Sequence, residues 1–207
     1  MLTKLTYYRH YLGQSALSTT IDNTLMSYPS YTIKKMSREE RNQYELYFEE
    51  TLTEFHPAIA RVVSSYEVIK ALQEELYQEI SVALWKSLSR FDHQSSLKTY
   101  VLSIAHKRAI SHVAKHAKEP RKQDVDKVEL VFKNCPSDQL VKSQRMSKLL
   151  SAMHQLPVFE RQLIALALEG LSYKDIGKIL GITTNLVGVK LNRSKIKLKT
   201  LIASGES

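Results

Sequence analysis

The chain has 207 residues, of which 43% are apolar and 25% are charged, and its formal net charge at pH 7 is +9. This composition is typical of a folded globular protein, and the positive charge favours nucleic acid as a partner over an anionic membrane surface. The single cysteine, Cys135, excludes an internal disulfide and a zinc site built on cysteine pairs. No apolar run is long enough to cross a membrane, and the N-terminus MLTKLTYYRHYLGQSALSTT lacks the apolar core of a secretory signal. We therefore expect a cytoplasmic protein without membrane insertion.

Residues 1–36 have weak periodicity and much Ser, Thr and Tyr, and they predict a poorly ordered N-terminal tail. Two interpretations of the tail stay open: translation begins at Met36, or the tail has a binding role of its own. Ser37 and Glu40 then form the S-x-x-E pattern of a capping box, which satisfies free backbone N–H groups at the start of a helix. A helix is therefore expected to begin directly after the tail.

The next 80 or so residues (a rough count from the helical period) predict three helices with a common apolar interior. Apolar residues of the first helix recur at spacings of three and four: Tyr44, Phe48, Leu52, Phe55, Ile59, Val62 and Tyr66. Pro57 lies within this run and predicts a kink or a short break. The second helix is expected over 68–88, with these residues facing inward: Leu72, Leu76, Ile80, Leu84 and Trp85. After a turn at 89–96, a third helix over 97–115 is expected to bury Tyr100, Val101, Ile104, Ile110 and Val113.

The helical period fades after these helices, which divides the chain. Residues 118–136, with prolines and mixed charge, predict a flexible linker between a domain at 37–117 and a second at 137–207. Four helices are expected in the second domain, near 139–155, 158–169, 173–180 and 184–201. Pro157 fits the start of the second of these and Gly170 its C-terminal end. The predicted fold class is all-α, with two small helical domains.

The stretch YKDIGKILGITTNLVGVKL, residues 173–191, fits a helix-turn-helix. Gly177 is small where the two helices must approach, Gly181 tolerates the positive φ of the turn, and Thr183 is placed to cap the second helix. The inward positions are Ile176, Leu180, Ile182, Val187 and Leu191. A plain helical hairpin is the alternative, but residues 171–201 carry seven Lys or Arg and one Asp, too lopsided for an ordinary solvated face.

We therefore expect the second helix of this motif to enter a DNA major groove. Its outward positions are Thr184, Asn185, Gly188, Val189, Lys190, Asn192 and Arg193. Asn and Arg side chains can bind base edges, a valine can contact a thymine methyl group, and the lysines more readily bind phosphates. The whole face is predicted more firmly than any one residue on it.

The third helix and the residues after it predict a second nucleic-acid surface. Its basic residues are Lys98, Lys107, Arg108, Lys115, Lys118, Arg121 and Lys122. Trp85, Phe91 and Tyr100 are near in sequence, and aromatic groups beside cations favour single-stranded DNA, whose exposed bases stack. The alternative is that these aromatic residues belong to the core, and for Trp85 that interpretation is preferred.

Catalytic and metal chemistry find little support in the sequence. His112 and His116, spaced i and i+4, could share a metal, but no carboxylate or cysteine completes a ligand set, so we expect a polar surface and no metal site. No Gly-rich phosphate loop and no G-x-S-x-G motif occurs. We expect no catalytic residues, no cofactor and no enzymatic activity.

Three segments resemble bacterial sigma factors of the extracytoplasmic-function (ECF) type. They are EELYQEISVALW at 74–85, SLKTYVLSIAHKRAISHV at 96–113 and LPVFERQLIALALEGLSYKDIGKILGI at 156–182. The resemblance implies that core RNA polymerase binds at Glu75, Gln78 and Glu79. It implies that the promoter −10 element binds at Asp92, His93, Gln94, Ser95, Ser96, Tyr100, Lys107 and Ser111. It further implies that the last helix binds the −35 element and that an anti-sigma factor is a partner.

The chain departs from the family pattern at several of these positions. Tyr100 stands in place of Trp, Lys107 in place of Asn, and Ser111 in place of Asp or Asn. Gly177 replaces an Ala, an exchange expected to be harmless, and Gly188 replaces a larger residue, which suggests an unusual −35 preference. The alternative function is a helix-turn-helix regulator that binds duplex DNA without polymerase. Co-purification with core polymerase distinguishes the two.

Overall fold

The structure, a computed structural model, describes residues 36–117 and 138–204. The helices are α1 Arg38–Tyr66, α2 Lys70–Ser87, α3 Leu97–His116, α4 Asp138–His154, α5 Val158–Leu168, α6 Tyr173–Leu180 and α7 Thr184–Ser204, with a 3-10 turn at Leu88–Arg90. The predicted all-α fold is confirmed. The predicted linker and all but the last residue of the predicted tail lie outside the described residues.

Helix α1 begins at the predicted capping box. The Ser37 N–H donates to Glu40 Oε2 at 2.7 Å, and the Glu40 N–H donates to Ser37 Oγ at 3.2 Å. The helix then continues through Pro57, so the short break considered for this position does not occur. Proline removes the hydrogen bond to the carbonyl of Thr53. Both Thr53 and Pro57 are exposed, and water can therefore satisfy that carbonyl.

Helices α1, α2 and α3 pack together around side chains such as Ile59, Leu76 and Leu102, none of which is exposed to solvent. The prediction for α3 is wrong at Ile110, which is exposed. Ala109 and His112 are buried instead. A small alanine on the inward face allows neighbouring helices to approach, whereas the sequence pattern was interpreted from the large apolar residues alone.

The Trp85 ring contacts aromatic rings of α1. Its centroid lies 4.8 Å from that of Tyr44 and 5.0 Å from that of Phe48. The Tyr44 hydroxyl also donates a hydrogen bond to the Trp85 carbonyl. These contacts support the interpretation of Trp85 as a core residue, because its indole ring packs against α1 within the first half of the molecule.

A buried arginine organises the second half. The Arg161 guanidinium donates from Nε to the Met153 carbonyl at 3.0 Å, and from Nη2 to the carbonyls of His154 and Leu156 at 2.8 and 3.1 Å. A cation is favourable where a helix ends, because the last carbonyls lack partners within the helix. Arg161 therefore fixes the turn between α4 and α5. The predicted end of α5 is confirmed, with Gly170 at a φ of 78°.

The two halves contact each other in this structure. Arg61 of α1 binds the buried carboxylate of Glu169 with two hydrogen bonds, Nε to Oε1 at 2.6 Å and Nη2 to Oε2 at 2.8 Å. The ring nitrogen Nε2 of His154 lies 2.9 Å from the Ser64 carbonyl oxygen. Buried apolar residues of both halves belong to one continuous cluster. The division into domains at 37–117 and 137–207 stays a prediction.

No helix in the described ranges has the length and hydropathy needed to cross a bilayer.

Candidate nucleic-acid interface

The turn of the helix-turn-helix is closely packed at Gly177. A Cβ atom added there would lie 2.7 Å from the backbone oxygen of Ile182, closer than such atoms approach. Glycine in place of the family's alanine is therefore well suited to this chain, and the reverse change would be strained, because the obstacle is backbone and cannot rotate away. Gly181 has a φ of 67°, and Thr183 Oγ1 accepts a hydrogen bond from the Leu186 N–H at 3.3 Å. The predicted turn and cap are confirmed.

Helix α7 divides into a buried and an exposed face as the sequence predicts. Ile176 of α6 and Val187 and Leu191 of α7 are almost fully buried, while Leu180 and Ile182 are partly buried. The exposed predicted contact residues are Thr184, Asn185, Val189, Lys190, Asn192 and Arg193. Packing on one side therefore leaves a polar and basic surface on the other.

Two of the predicted contact residues differ from the rest of the face. Gly188 is partly buried, and a Cβ atom there would lie 3.5 Å from Cε2 of Tyr173, an ordinary contact distance. Lys190 extends toward α5, with its Nζ 5.5 Å from the Phe159 ring centroid. Lys190 thus lies at the flank of the face, beside α5. Tyr173, itself exposed beside Gly188, is a candidate contact that the sequence analysis did not select.

The predicted −10 loop precedes α3 and is largely exposed. Asp92, His93, Gln94 and Ser96 are exposed, and Ser95 is partly buried. His93 has a φ of 60°, and Asp92 Oδ1 accepts a hydrogen bond from the Gln94 N–H at 3.3 Å. The Ser96 hydroxyl oxygen accepts from the Thr99 N–H at 3.1 Å, so this side chain caps α3. A role in DNA binding for Ser96 must coexist with that cap.

Aromatic side chains join this loop to α3. The Phe91 ring centroid lies 4.5 Å from that of His93 and 4.9 Å from that of Tyr100. The Tyr100 hydroxyl donates to the Ser87 carbonyl at 2.7 Å, and burial raises the pKa of Tyr100. The phenol is therefore neutral at physiological pH and is held by α2.

Lys107 and Ser111 lie on α3 at positions seven and eleven residues after Tyr100, so the three share one helix face. Both Lys107 and Ser111 are exposed. The Ser111 hydroxyl donates to the Lys107 carbonyl at 3.1 Å, which leaves its oxygen able to accept. The basic surface predicted for α3 thus continues along the helix from the −10 loop.

The predicted polymerase contacts on α2 face α3 in part. Glu75, Gln78 and Glu79 are all partly buried. Glu75 Oε1 accepts a hydrogen bond from Lys115 Nζ at 3.1 Å, and Glu79 Oε2 lies 3.4 Å from His112 Nδ1. Burial raises the pKa of Glu75, but the hydrogen bond and charge of Lys115 and the nearby histidines outweigh burial and leave that pKa below its usual value. Lys115 Nζ also lies 3.9 Å from Glu79 Oε1, so both carboxylates already have a cationic neighbour within the molecule.

The histidines of α3 are buried, which corrects the expectation of a polar surface. His106, His112 and His116 all lie inside the first half. Burial lowers the pKa of His106 to about 3, and its Nδ1 lies 3.0 Å from the Tyr66 hydroxyl. The expectation that no carboxylate accompanies His112 and His116 is also wrong, since α2 brings Glu75 to them. This arrangement is not visible in the sequence because Glu75 and His112 are far apart in the chain.

Two family models match the chain. "Sigma-70 region 2" matches residues 51–119, and "Sigma-70, region 4" matches residues 146–198, so together they cover more than half of the chain. The chain is also similar to the ECF RNA polymerase sigma factor SigK of Mycobacterium ulcerans (strain Agy99). The two are 25% identical over 162 residues, which are 76% of this chain and 83% of SigK.

Two solved structures have a similar fold. One is CnrH in complex with the cytosolic domain of CnrY, with a TM-score of 0.54, 17% identity, and coverage of 76% of this chain and 88% of that one. The other is the sigma factor RpoE in complex with the anti-sigma factor NepR from Bartonella quintana. Its TM-score is 0.59 at 22% identity, with coverage of 75% of this chain and 96% of that one. The helix-turn-helix, the matched regions and the similarity to SigK lead to one conclusion: the chain belongs to the sigma-70 family, as a sigma factor of the ECF type.

Proposed function

We propose that this sigma factor binds core RNA polymerase and directs transcription initiation at specific promoters, through a −10 and a −35 element. The observation that carries the proposal is the exposed polar and basic face of α7, held against α6 by the close approach at Gly177. A helix fixed in this way can enter a major groove with its side chains already positioned. The membership in the sigma-70 family supplies the polymerase as the partner.

Binding of the −35 element falls to α7. Asn185, Asn192 and Arg193 have side chains that can bind base edges, and all three are exposed. Val189 is suited to a thymine methyl group. Lys190, at the flank beside Phe159, is suited to a phosphate, which contributes affinity without sequence preference.

Binding of the −10 element falls to the loop before α3 and to one face of that helix. The loop residues Asp92, His93 and Gln94 are exposed, and Lys107 adds positive charge further along the helix. A separated strand exposes base faces that stack on aromatic groups, and the Phe91 and His93 rings lie together at this end of α3. Tyr100 contacts the Phe91 ring, with the two ring centroids 4.9 Å apart.

Core polymerase binding falls to α2, at Glu75, Gln78 and Glu79. The inference includes an anti-sigma factor, because both solved relatives are complexes, one with CnrY and one with the anti-sigma factor NepR. It also includes a cytoplasmic location and the absence of an enzymatic activity of the chain's own. Transcription chemistry would then reside entirely in the polymerase.

The test is transcription in vitro from a promoter library, with core polymerase alone and with the chain added. We expect specific transcripts only when both are present. Gln78→Ala and Glu79→Lys should each lower the affinity for core polymerase, while Glu54→Lys, at an exposed position on α1, should not. If both α2 variants bind core polymerase with unchanged affinity, polymerase does not bind at this surface. Duplex binding without any promoter-specific transcript would instead favour the regulator function.

A further inference from the structure

Three potential metal ligands meet between α2 and the C-terminal part of α3. They are Glu75 of α2 and His112 and His116 of α3, with ligand atoms that all lie within 4.8 Å of one another. His112 and His116 are buried, whereas Glu75 is partly exposed. The cluster therefore has a closed side within the helices and an open side toward solvent.

The buried imidazole of His112 has no hydrogen-bond partner. Neither Nδ1 nor Nε2 makes a hydrogen bond, although the residue is only 1% exposed. Buried polar atoms are nearly always hydrogen bonded, whereas the carboxylates that face this imidazole, at 3.4 and 3.7 Å, make no hydrogen bond with it, and this calls for an explanation. A metal ion bound to one of the nitrogens provides it. Two imidazoles and a carboxylate are a ligand set found in zinc sites.

Two further carboxylates flank His112. Glu79 Oε2 lies 3.4 Å from Nδ1 on one side, and Glu67 Oε1 lies 3.7 Å from Nε2 on the other. Whichever nitrogen binds a metal, the other nitrogen faces a carboxylate, which is how ligating histidines are commonly oriented.

Lys115 is the cation that a metal would have to displace. Its Nζ lies 3.1 Å from Glu75 Oε1 and 3.9 Å from Glu79 Oε1, with the lysine side chain 58% exposed. Exposed ion pairs contribute little, so the ammonium can move into water at small cost. Zinc also needs its ligand atoms roughly 3.3–3.4 Å apart, as bonds of about 2.0–2.1 Å in a tetrahedron require, so the cluster must contract. Glu75 Oε1 already lies 3.6 Å from His116 Nε2, close to that spacing.

We propose that Glu75, His112 and His116 form a binding site for a divalent transition-metal ion, zinc or its analogue cobalt, with the fourth position open to solvent. The bound ion joins α2 to the end of α3. The site shares Glu75 with the proposed polymerase surface, so a bound ion would occupy that carboxylate, but metal binding itself does not depend on that function.

The experiment uses the full chain after treatment with a chelator. Titration with Co²⁺ should give the visible absorption of a four-coordinate site at one equivalent, and Zn²⁺ should abolish it and raise the melting temperature. Glu75→Gln and His116→Ala should each weaken Zn²⁺ binding at least about tenfold, because the loss of even an outer-shell partner of a ligand costs about that much. Lys115→Gln should strengthen binding, because it removes the competing cation.

Two controls test whether the ion binds elsewhere. His56→Ala removes an exposed histidine of α1, and Cys135→Ser removes the only thiol. Neither should change the affinity. Because Glu75 is partly exposed, Glu75→Gln should remain folded by circular dichroism even if His116→Ala does not. The proposal is overturned if no stoichiometric binding occurs, if Glu75→Gln binds as wild type, or if Cys135→Ser abolishes binding.

Discussion

Helices α7 and α2 both carry predicted binding residues, but their polar side chains have different neighbours. On α7, Asn185, Asn192 and Arg193 are exposed to solvent. On α2, Glu75 and Glu79 lie against cationic or imidazole groups of α3. A ligand of α7 displaces water, whereas a partner of α2 must also compete with an intramolecular ion pair.

The positions of the helices explain this difference. Helix α7 buries one narrow row that includes Val187, Leu191 and Leu198, and the residues of its opposite side are exposed. Helix α2 packs against both α1 and α3. Its polar edge is therefore close to the charges of a neighbouring helix. Polar residues that look alike in a sequence can thus either face solvent, where they can bind a partner, or contact a neighbouring helix of the same chain.

The largest effect on stability is expected at Gly177, because the close approach there holds α7 against α6. Gly177→Ala should lower the free energy of unfolding by about 1–3 kcal/mol, and Gly177→Leu by more, because the added carbon meets the Ile182 backbone oxygen. Gly188→Ala is the matched control, since its added carbon makes an ordinary contact with Tyr173. It should be neutral or stabilising by up to about 1 kcal/mol. Denaturant unfolding measures all three, and a fully stable Gly177→Ala would refute the tight turn.

Arg193→Ala tests whether the exposed face reads sequence. If Arg193 contacts a base, the variant should lose about 1–3 kcal/mol of promoter binding and relax the preference at one −35 position. Lys190→Ala should weaken binding to all DNA sequences alike. It should also lower the slope of log affinity against log salt concentration by about one, as expected for a lost phosphate contact. The measurement is binding of the holoenzyme to promoter and scrambled duplexes over a salt series. Equal affinity of wild type for both duplexes would contradict direct readout by α7.

Arg61→Ala tests how much the Arg61–Glu169 contact contributes to the association of the two halves. The change leaves the buried Glu169 carboxylate without its two hydrogen bonds and should favour separation of the halves by roughly 1–2 kcal/mol. Small-angle scattering should then show a larger radius of gyration. Arg41→Ala is the control, because Arg41 and Glu45 form an exposed pair within α1. If the two variants scatter alike, the Arg61–Glu169 contact does not control closure.

The smallest effect concerns pH and the buried His106. Burial lowers its pKa to about 3, against about 6.5 in an unfolded chain. Below pH 6.5 the unfolded state therefore binds more protons, and the contribution of neutral His106 to stability is lost as the pH falls toward 3, by at most about 1.4 kcal/mol per pH unit.

The check is urea unfolding at about pH 7 and pH 5.5. Wild type should lose roughly 1 kcal/mol more than His106→Gln between these values, since glutamine does not titrate in this range. The glutamine side chain retains a group that can hydrogen bond to the Tyr66 hydroxyl. Equal losses in both proteins would show that His106 is protonated or accessible in the folded state.

Features that depend on nearby residues were predictable from the sequence. The capping box at Ser37, the turn at Gly181 and the cap at Thr183 each involve residues within a few positions of one another. The apolar row of α1 was equally clear, because its spacing alone identifies the buried face. Such local signals were sufficient for the fold class and for the exposed face of α7.

Polar contacts between distant helices were not predictable in the same way. Glu75 and Lys115 are 40 residues apart, and no pattern in the sequence indicates which acid meets which cation. Arg161 carried no sign that its guanidinium would bind three carbonyls. The burial of His112 was missed for a related reason, since polar residues are assigned to the surface unless a partner is known.

The contact between the two halves has a consequence for synthesis of the chain. Arg61 and Glu169 are separated by 108 residues. A ribosome adds about 5–20 residues per second, so roughly 5–20 s pass between the appearance of the two side chains. During that interval the part of α1 around Arg61 and Tyr66 is made but lacks the surface that later covers it. The first half of this sigma factor is therefore synthesised before the second half is available to contact it.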